Sequence, residues 1–290
     1  MEAKKELDEI FSNIVRQKNA LDYFSSYVCP ELYGYDNVKK AILLMLVSDD
    51  EYAPSSTIRH RIHIGMVGLP GTGKTVFMEY LERVFDAVYL TQDTKVSSLK
   101  GDARRKDYGI QIFRRANGGI VCFDEIELME DRETLRDVME KGEVVYAKGG
   151  DLERYDAKVR VVVGSNDFKK LSPALQDRLD FIFEFKMPSK EESKEIARKI
   201  LKVLTGEQYI KETEILKRYV EWARNFKPRI EDEEGITNIF DQYFDFIGEG
   251  RSGRFITKVM RIATAHAKLY HKDVTADDVK IALKMLNNKK

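Results

Sequence analysis

The chain has 290 residues, 43% hydrophobic and 34% charged, which supplies a real core and, at about 150 residues per domain, a length expected to divide in two. Its 49 Lys+Arg balance 49 Asp+Glu, so no global field draws it onto nucleic acid or an anionic membrane, and any polyanion site must be local. Cys29 and Cys122 lie far apart with no CxxC spacing, and His60, His63, His266 and His271 form no ligand cluster with them, which argues against zinc and against a disulfide scaffold.

Leu7, Ile10, Phe11, Ile14 and Val15 recur at three and four residues, predicting a helical N-terminal segment over 1–28 that Pro30 closes. Its charged start, MEAKKELDEI, is no signal peptide, and the longest apolar run, Ala41 to Val47, is too short for a bilayer, so a cytoplasmic protein without a membrane partner is expected. A second helix is predicted over 36–47 with Asp36 as N-cap, then a polar loop, DDEYAPSST. Five short apolar runs follow: IHIGMV at 62–67, AVYL at 87–90, GIVCF at 119–123, VRVVVG at 159–164 and FIFEF at 181–185. With helical patterns between them they predict a parallel α/β sheet. Residues 143–159 break the alternation, with two strand-like arms around Gly149 and Gly150 that predict an inserted β-hairpin. Beyond Pro188 the period is helical throughout. The expected division is therefore 1–28, an α/β domain over 29–187, and a helical domain over 188–290. Within the last, Trp222 and His266 read as packing residues.

Residues 68–75, GLPGTGKT, match GxxxxGK[ST] between a strand and a helical pattern. Gly68, Pro70, Gly71, Thr72, Gly73, Lys74 and Thr75 are thus predicted to bind ATP. Loop amides and the Lys74 charge cradle the phosphates, and the Thr75 hydroxyl ligates Mg²⁺. Asp124 and Glu125 end the strand GGIVCF, where α/β sheets present their ligands. Asp124 is predicted to complete the Mg²⁺ shell, and Glu125 to orient and deprotonate the attacking water.

In order, strand, phosphate loop, acidic pair, hairpin and helical C-terminal region resemble an AAA+ ATPase. GGIVCFDEIELMEDRETLRDVMEKGEVVYAKGG, ELYGYDNVKKAILL, LQDRLDFIFEF, YVEWARNFKPRI and SGRFITKVMRIATAHAKLYHKDVTADDVKIAL are similar to the minichromosome maintenance (MCM) replicative helicases, over nearly all of residues 20 to 288. The resemblance implies a five-stranded parallel AAA+ sheet, an inserted hairpin and a helical lid. It implies a hexameric DNA motor hydrolysing ATP at subunit interfaces. It also implies Asn166 as first sensor, Arg178 as arginine finger and Arg254 as second-sensor arginine, the last two acting on a neighbour's nucleotide. On spacing alone Lys148 reads as a solvated guard of the hairpin tip, whereas the resemblance implies a DNA contact there.

From Lys95 to Arg115 lie seven Lys/Arg, among them Lys100, Arg104, Arg105 and Lys106, against Asp102 and Asp107, with Tyr108 and Phe113 interleaved. This stretch reads either as a solvated loop or as a DNA-facing element with stacking aromatics. It is shorter than the family's insertion there, the loop has GTGKT where the family usually has alanine and serine, and no counterpart of the family's N-terminal OB-fold module is evident. The alternatives are therefore a protein-remodelling ATPase of the MoxR type or a regulatory homologue without helicase activity.

Overall fold

A computed structural model describes residues 2–50, 58–91, 99, 111–128, 132–148, 151–204 and 207–287. The chain opens with helices α1 (Glu2–Gln17), α2 (Ala20–Ser25) and α3 (Asp36–Val47). It continues with β1 (Ile64–Gly68), α4 (Lys74–Phe85), β2 (Val88–Leu90), α5 (Ile112–Arg115), β3 (Ile120–Phe123) and α6 (Arg132–Lys141). Strands β4 (Glu143–Lys148), β5 (Asp151–Asp156) and β6 (Arg160–Ser165) follow, then α7 (Pro173–Gln176) and β7 (Phe181–Phe185). The chain then forms α8 (Lys190–Leu204), α9 (Glu207–Asn225), α10 (Glu233–Ile247), α11 (Gly253–Leu269) and α12 (Ala276–Asn287). These elements gather into two compact units, Ser55–Ser189 and Met1–Pro54 with Lys190–Lys290.

In the first unit five parallel strands stand in the order β2-β3-β6-β1-β7. The α/β class and the five parallel strands are those expected, with β1 starting two residues, and β2, β3 and β6 one residue, later than their apolar runs. These runs are continuous because both faces are covered. On one face Val121, Phe123, Val161 and Val163 form a core with Phe113, Leu135, Val138 and Met139. On the other, Met78 of α4 lies against Gly164. Strands β4 and β5 pair with each other, from Glu143 opposite Asp156 to Lys148 opposite Asp151, as the predicted hairpin. Phe113 does not face solvent as a stacking aromatic. It is fully buried in this core, its ring 6.2 Å from that of Phe123.

The second unit is helical. Segment 29–54, expected with the α/β domain, packs here through α3 against α2, α9 and α11. Aromatic rings explain the grouping: Phe24 stacks on Tyr219 at 3.4 Å between centroids, and Phe11 lies 5.7 Å from Trp222. Two predicted details change. The N-terminal segment breaks after α1, because Asn19 accepts a bond from the Asp22 amide and starts a new helix. Tyr35, at φ 58°, rather than Asp36, is the N-cap of α3, which leaves Asp36 in the first turn to favour the helix dipole.

Trp222 is buried and stacks on His271. His266 is more than a packing residue, since its Nδ1 lies 2.6 Å from Oδ1 of Asp278. Asp278 also accepts from Lys272 Nζ at 2.9 Å and from the Thr275 amide and hydroxyl, each at 2.9 Å. Burial alone would raise the Asp278 carboxyl, but the bonds from His266, Thr275 and Lys272 outweigh it and hold the pKa at about 2. A carboxyl depressed on folding contributes stability that is full above its unfolded value, near 4, and lost as pH falls toward 2. Acid unfolding of the wild type, followed by circular dichroism, should therefore steepen between pH 4 and 2. Asp278→Asn should flatten that region and lower stability at neutral pH by about 3 to 5 kcal/mol, because His266 loses a buried partner.

Candidate active site

Strand β1 sits between β6 and β7, so its carboxyl end opens inside the sheet, where the neighbouring strands also deliver their last residues. Gly68 ends β1 against β7, where any side chain would collide with the Phe185 carbonyl. The loop then turns with Gly71 at φ 79° and Gly73 at φ 99°. Both lie in the left-handed region that favours glycine. Thr72, buried, donates to the Leu69 carbonyl at 2.8 Å and braces the turn. Gly73 is the N-cap of α4, so the free amides and positive dipole end of a 12-residue helix face the loop.

Lys74, the first residue of α4, is 5% exposed, and its Nζ donates to the Gly68 carbonyl, to the Leu69 carbonyl at 3.0 Å and to Asn166 Oδ1 at 3.3 Å. Burial pushes the ammonium below the usual lysine pKa, while Asp124, Glu127 and Glu125 pull the other way. Thr75 Oγ1 donates to Asp124 Oδ2 at 3.0 Å. A hydroxyl and a carboxylate thus share one point, the hard oxygen donors that Mg²⁺ takes. With the amide-lined loop beside them, the residues fit a magnesium-bound nucleoside triphosphate.

Asn166, just past β6, joins the loop to the acidic pair. Its Nδ2 donates to Glu125 Oε1 at 3.1 Å while its Oδ1 accepts from Lys74, and its amide donates to Glu127 Oε1 at 3.0 Å. Glu125 stands at φ 49°, a conformation costly for a residue with a Cβ. Its amide bonds to Asp124 Oδ1 at 3.0 Å. The structure thus brings Lys74, Thr75, Asp124, Glu125 and Asn166 into one connected constellation.

Two members of it carry no motif. Tyr89, on β2, donates its hydroxyl to Asp124 Oδ2 at 2.7 Å, and burial and this carboxylate push the phenol pKa up. Glu127 holds the Asn166 backbone and lies 3.9 Å from Lys170 Nζ. The last acid of DEIE and the tyrosine of AVYL were visible signals, but only the register β2↔β3, with Leu90 opposite Phe123, brings Tyr89 beside the acidic pair.

Arg178 follows α7. Its NH1 donates to the Ala174 carbonyl at 2.8 Å and its Nε lies 3.4 Å from Glu140 Oε2. Arg254 is exposed on the first turn of α11, in the helical unit. Lys148 is the last residue of β4, opposite Asp151. Lys100, Arg104, Arg105 and Lys106 lie outside the described residues. Arg114, at the end of the same basic stretch, is described and sits over the Tyr155 ring of the hairpin at 5.8 Å.

The chain is similar to known proteins. The family model described as the MCM P-loop domain matches residues 7–204, more than half of the chain. The minichromosome maintenance protein MCM of Saccharolobus solfataricus is 29% identical over 91% of this chain and 44% of its own length. An uncharacterized MCM-type protein, MJ0363, of Methanocaldococcus jannaschii is 28% identical over 96% of this chain and 43% of its own. The DNA replication licensing factor mcm7-B of Xenopus laevis is 24% identical over 96% and 44%. The chain therefore spans less than half the length of each of these relatives. An α/β P-loop fold with a five-stranded parallel sheet, and a match of this extent, lead to one conclusion: the chain belongs to the MCM family, over the domain that carries its phosphate-binding loop.

Proposed function

We propose that this chain is an ATP-driven DNA motor of the MCM type, hydrolysing ATP at subunit interfaces of a hexameric ring and moving on or unwinding DNA. The observation that carries the reading is the connected set Lys74, Thr75, Asp124, Glu125 and Asn166 at the carboxyl ends of β1, β3 and β6. The loop amides and Lys74 bind and orient the β- and γ-phosphates. Thr75 and Asp124 would hold Mg²⁺, which when bound neutralises charge on the phosphate oxygens. Tyr89 aims the Asp124 carboxylate. Glu125 takes the proton of the attacking water, and Asn166, tethered to Glu125 and Lys74, orients that water. Arg178 and Arg254 reach the nucleotide of a neighbouring subunit, so turnover requires assembly. Lys148 at the hairpin tip and the basic stretch that holds Lys100, Arg104, Arg105 and Lys106 contact the DNA backbone.

Binding of single-stranded DNA, followed by fluorescence anisotropy across a salt titration, tests the DNA part of this reading. Affinity should fall linearly on logarithmic axes as salt rises, and Lys148→Ala should reduce that slope by about 0.7 for each phosphate it no longer neutralises. A salt-independent or undetectable interaction would contradict it. One observation favours the second reading, protein remodelling. Over 143–156 the hairpin carries Glu143, Asp151, Glu153 and Asp156 against Lys148 and Arg154, and it exposes Leu152 at 69%. An acidic hairpin with an apolar side chain suits a polypeptide better than a phosphate backbone, and failure of the salt titration would favour it.

A further inference from the structure

Ahead of β1 the chain reads RHRIH, and Arg59, Arg61 and His63 are all buried. They converge on the carboxyl end of α6. The Met139 carbonyl accepts from Arg59 NH1 at 3.1 Å and Arg61 NH2 at 3.4 Å, and lies 3.1 Å from His63 Nε2. Cations belong at a helix carboxyl end. His63 is held in one tautomer, because its Nδ1 accepts from the Val161 amide at 3.0 Å, which leaves Nε2 to carry the proton toward Met139. Helix α6 passes through Gly142 into the hairpin, and a side chain at Gly142 would collide with the Arg61 guanidinium. The clasp therefore fixes the stem of the hairpin to the sheet.

The same clasp reaches Arg178. Arg59 NH2 donates to the Arg178 carbonyl at 2.5 Å and lies 3.5 Å from Asp180 Oδ2, with the two side chains 7% and 0% exposed. Asp180 is itself fixed, since its Oδ2 accepts from the His63 amide at 2.8 Å. Arg59 thus spans the end of α6, the backbone of Arg178 and the start of β7 with one guanidinium, whose planar fork can serve several acceptors at once. The Arg178 side chain makes only a local bond, from NH1 to the Ala174 carbonyl one turn back at 2.8 Å. Its Nε has no hydrogen-bond partner among the described residues, and the facing Glu140 side chain is 41% exposed. A partly exposed ion contact of this kind is weak. The backbone is held by a buried guanidinium, while the side chain is held by one local bond and one partly exposed ion contact.

We propose that Arg59 is the positioning residue for Arg178, setting the backbone from which that guanidinium reaches the neighbouring subunit's nucleotide. The proposal rests on the reading of Arg178 as a finger acting in trans. A displacement of about 1 Å at a reacting geometry costs about 10²-fold in rate, so loss of the fork should be visible in turnover.

A complementation assay tests it. Full-length chains carrying Lys74→Ala, which keep Arg178, are mixed with chains carrying Arg178→Ala, which keep the phosphate loop, and the restored ATP hydrolysis is measured. Arg59→Gln is then added to one partner or the other. On the Lys74→Ala chain, which donates the finger, it should lower the restored rate about 10²-fold. On the Arg178→Ala chain, which accepts the finger, it should leave the rate and the affinity for a fluorescent ATP analogue unchanged. Arg59→Lys, which keeps a buried cation but not the fork, should show the same asymmetry if Arg59→Gln does not fold. Equal losses on both partners, or no loss on the donor, would overturn the positioning role. No restored activity before Arg59 is altered would instead remove the trans finger itself, and the Arg59 proposal with it.

Discussion

Arg178→Ala is expected to lower ATP turnover about 10³- to 10⁵-fold, the range a charge supplied at the transferring phosphoryl group is worth, while leaving ATP affinity intact. The separation follows from the geometry, since the side-chain contacts of Arg178 are with Ala174 and Glu140, whereas Lys74 bonds to Asn166, and Asp124 to Thr75 and Tyr89. Because the defect would appear in a neighbour's site, wild-type chains mixed with rising fractions of Arg178→Ala should lose activity faster than in proportion. A strictly proportional decline, or a loss of ATP affinity equal to the loss of turnover, would remove Arg178 from the transition state.

Glu125→Gln is expected to bind ATP with Mg²⁺ normally and to slow hydrolysis about 10²- to 10⁴-fold, the usual contribution of a general base. The amide keeps the size of the carboxylate and can still meet Asn166, now 3.1 Å away through Nδ2, so the fold and the loop should be undisturbed. The loss is confined to proton acceptance. Single-turnover measurements with a fluorescent nucleotide separate binding from cleavage. A variant that hydrolyses at the wild-type rate would assign the base elsewhere, with Glu127 the nearest carboxylate on Asn166.

The phosphate loop was legible because it combines a short specific pattern with a strand before it and a helix after it. Strand-end carboxylates were legible for the same reason, since four apolar residues precede Asp124 and Glu125. What the sequence concealed depends on long-range register. Tyr89 meets Asp124 only because β2 and β3 are neighbours, 35 residues apart in the chain. The Arg59–Asp180 pair joins residues from opposite ends of the α/β unit, and a charged residue read alone is expected on the surface. Phe113 misled for the converse reason: it lies in a basic stretch, yet a short helical turn carries it into the core against Phe123. The grouping of 29–54 with the C-terminal helices was also hidden, because the apolar run of α3 does not say which surface it covers.

The constellation around the loop has the residue types that phosphoryl transfer needs. Over 143–156 the hairpin carries four carboxylates, Glu143, Asp151, Glu153 and Asp156, against Lys148 and Arg154. The ATP reading and the DNA reading therefore rest on different residues and can be tested separately.

The most direct test of the motor reading is steady-state ATP hydrolysis by the full chain at low salt, with and without single-stranded DNA and with Lys74→Ala as the blank. The reading predicts hydrolysis above the blank that rises severalfold when DNA is added. Hydrolysis above the blank that DNA leaves unchanged would contradict a DNA motor and direct attention to a polypeptide substrate, and hydrolysis no greater than the blank would contradict the ATPase itself.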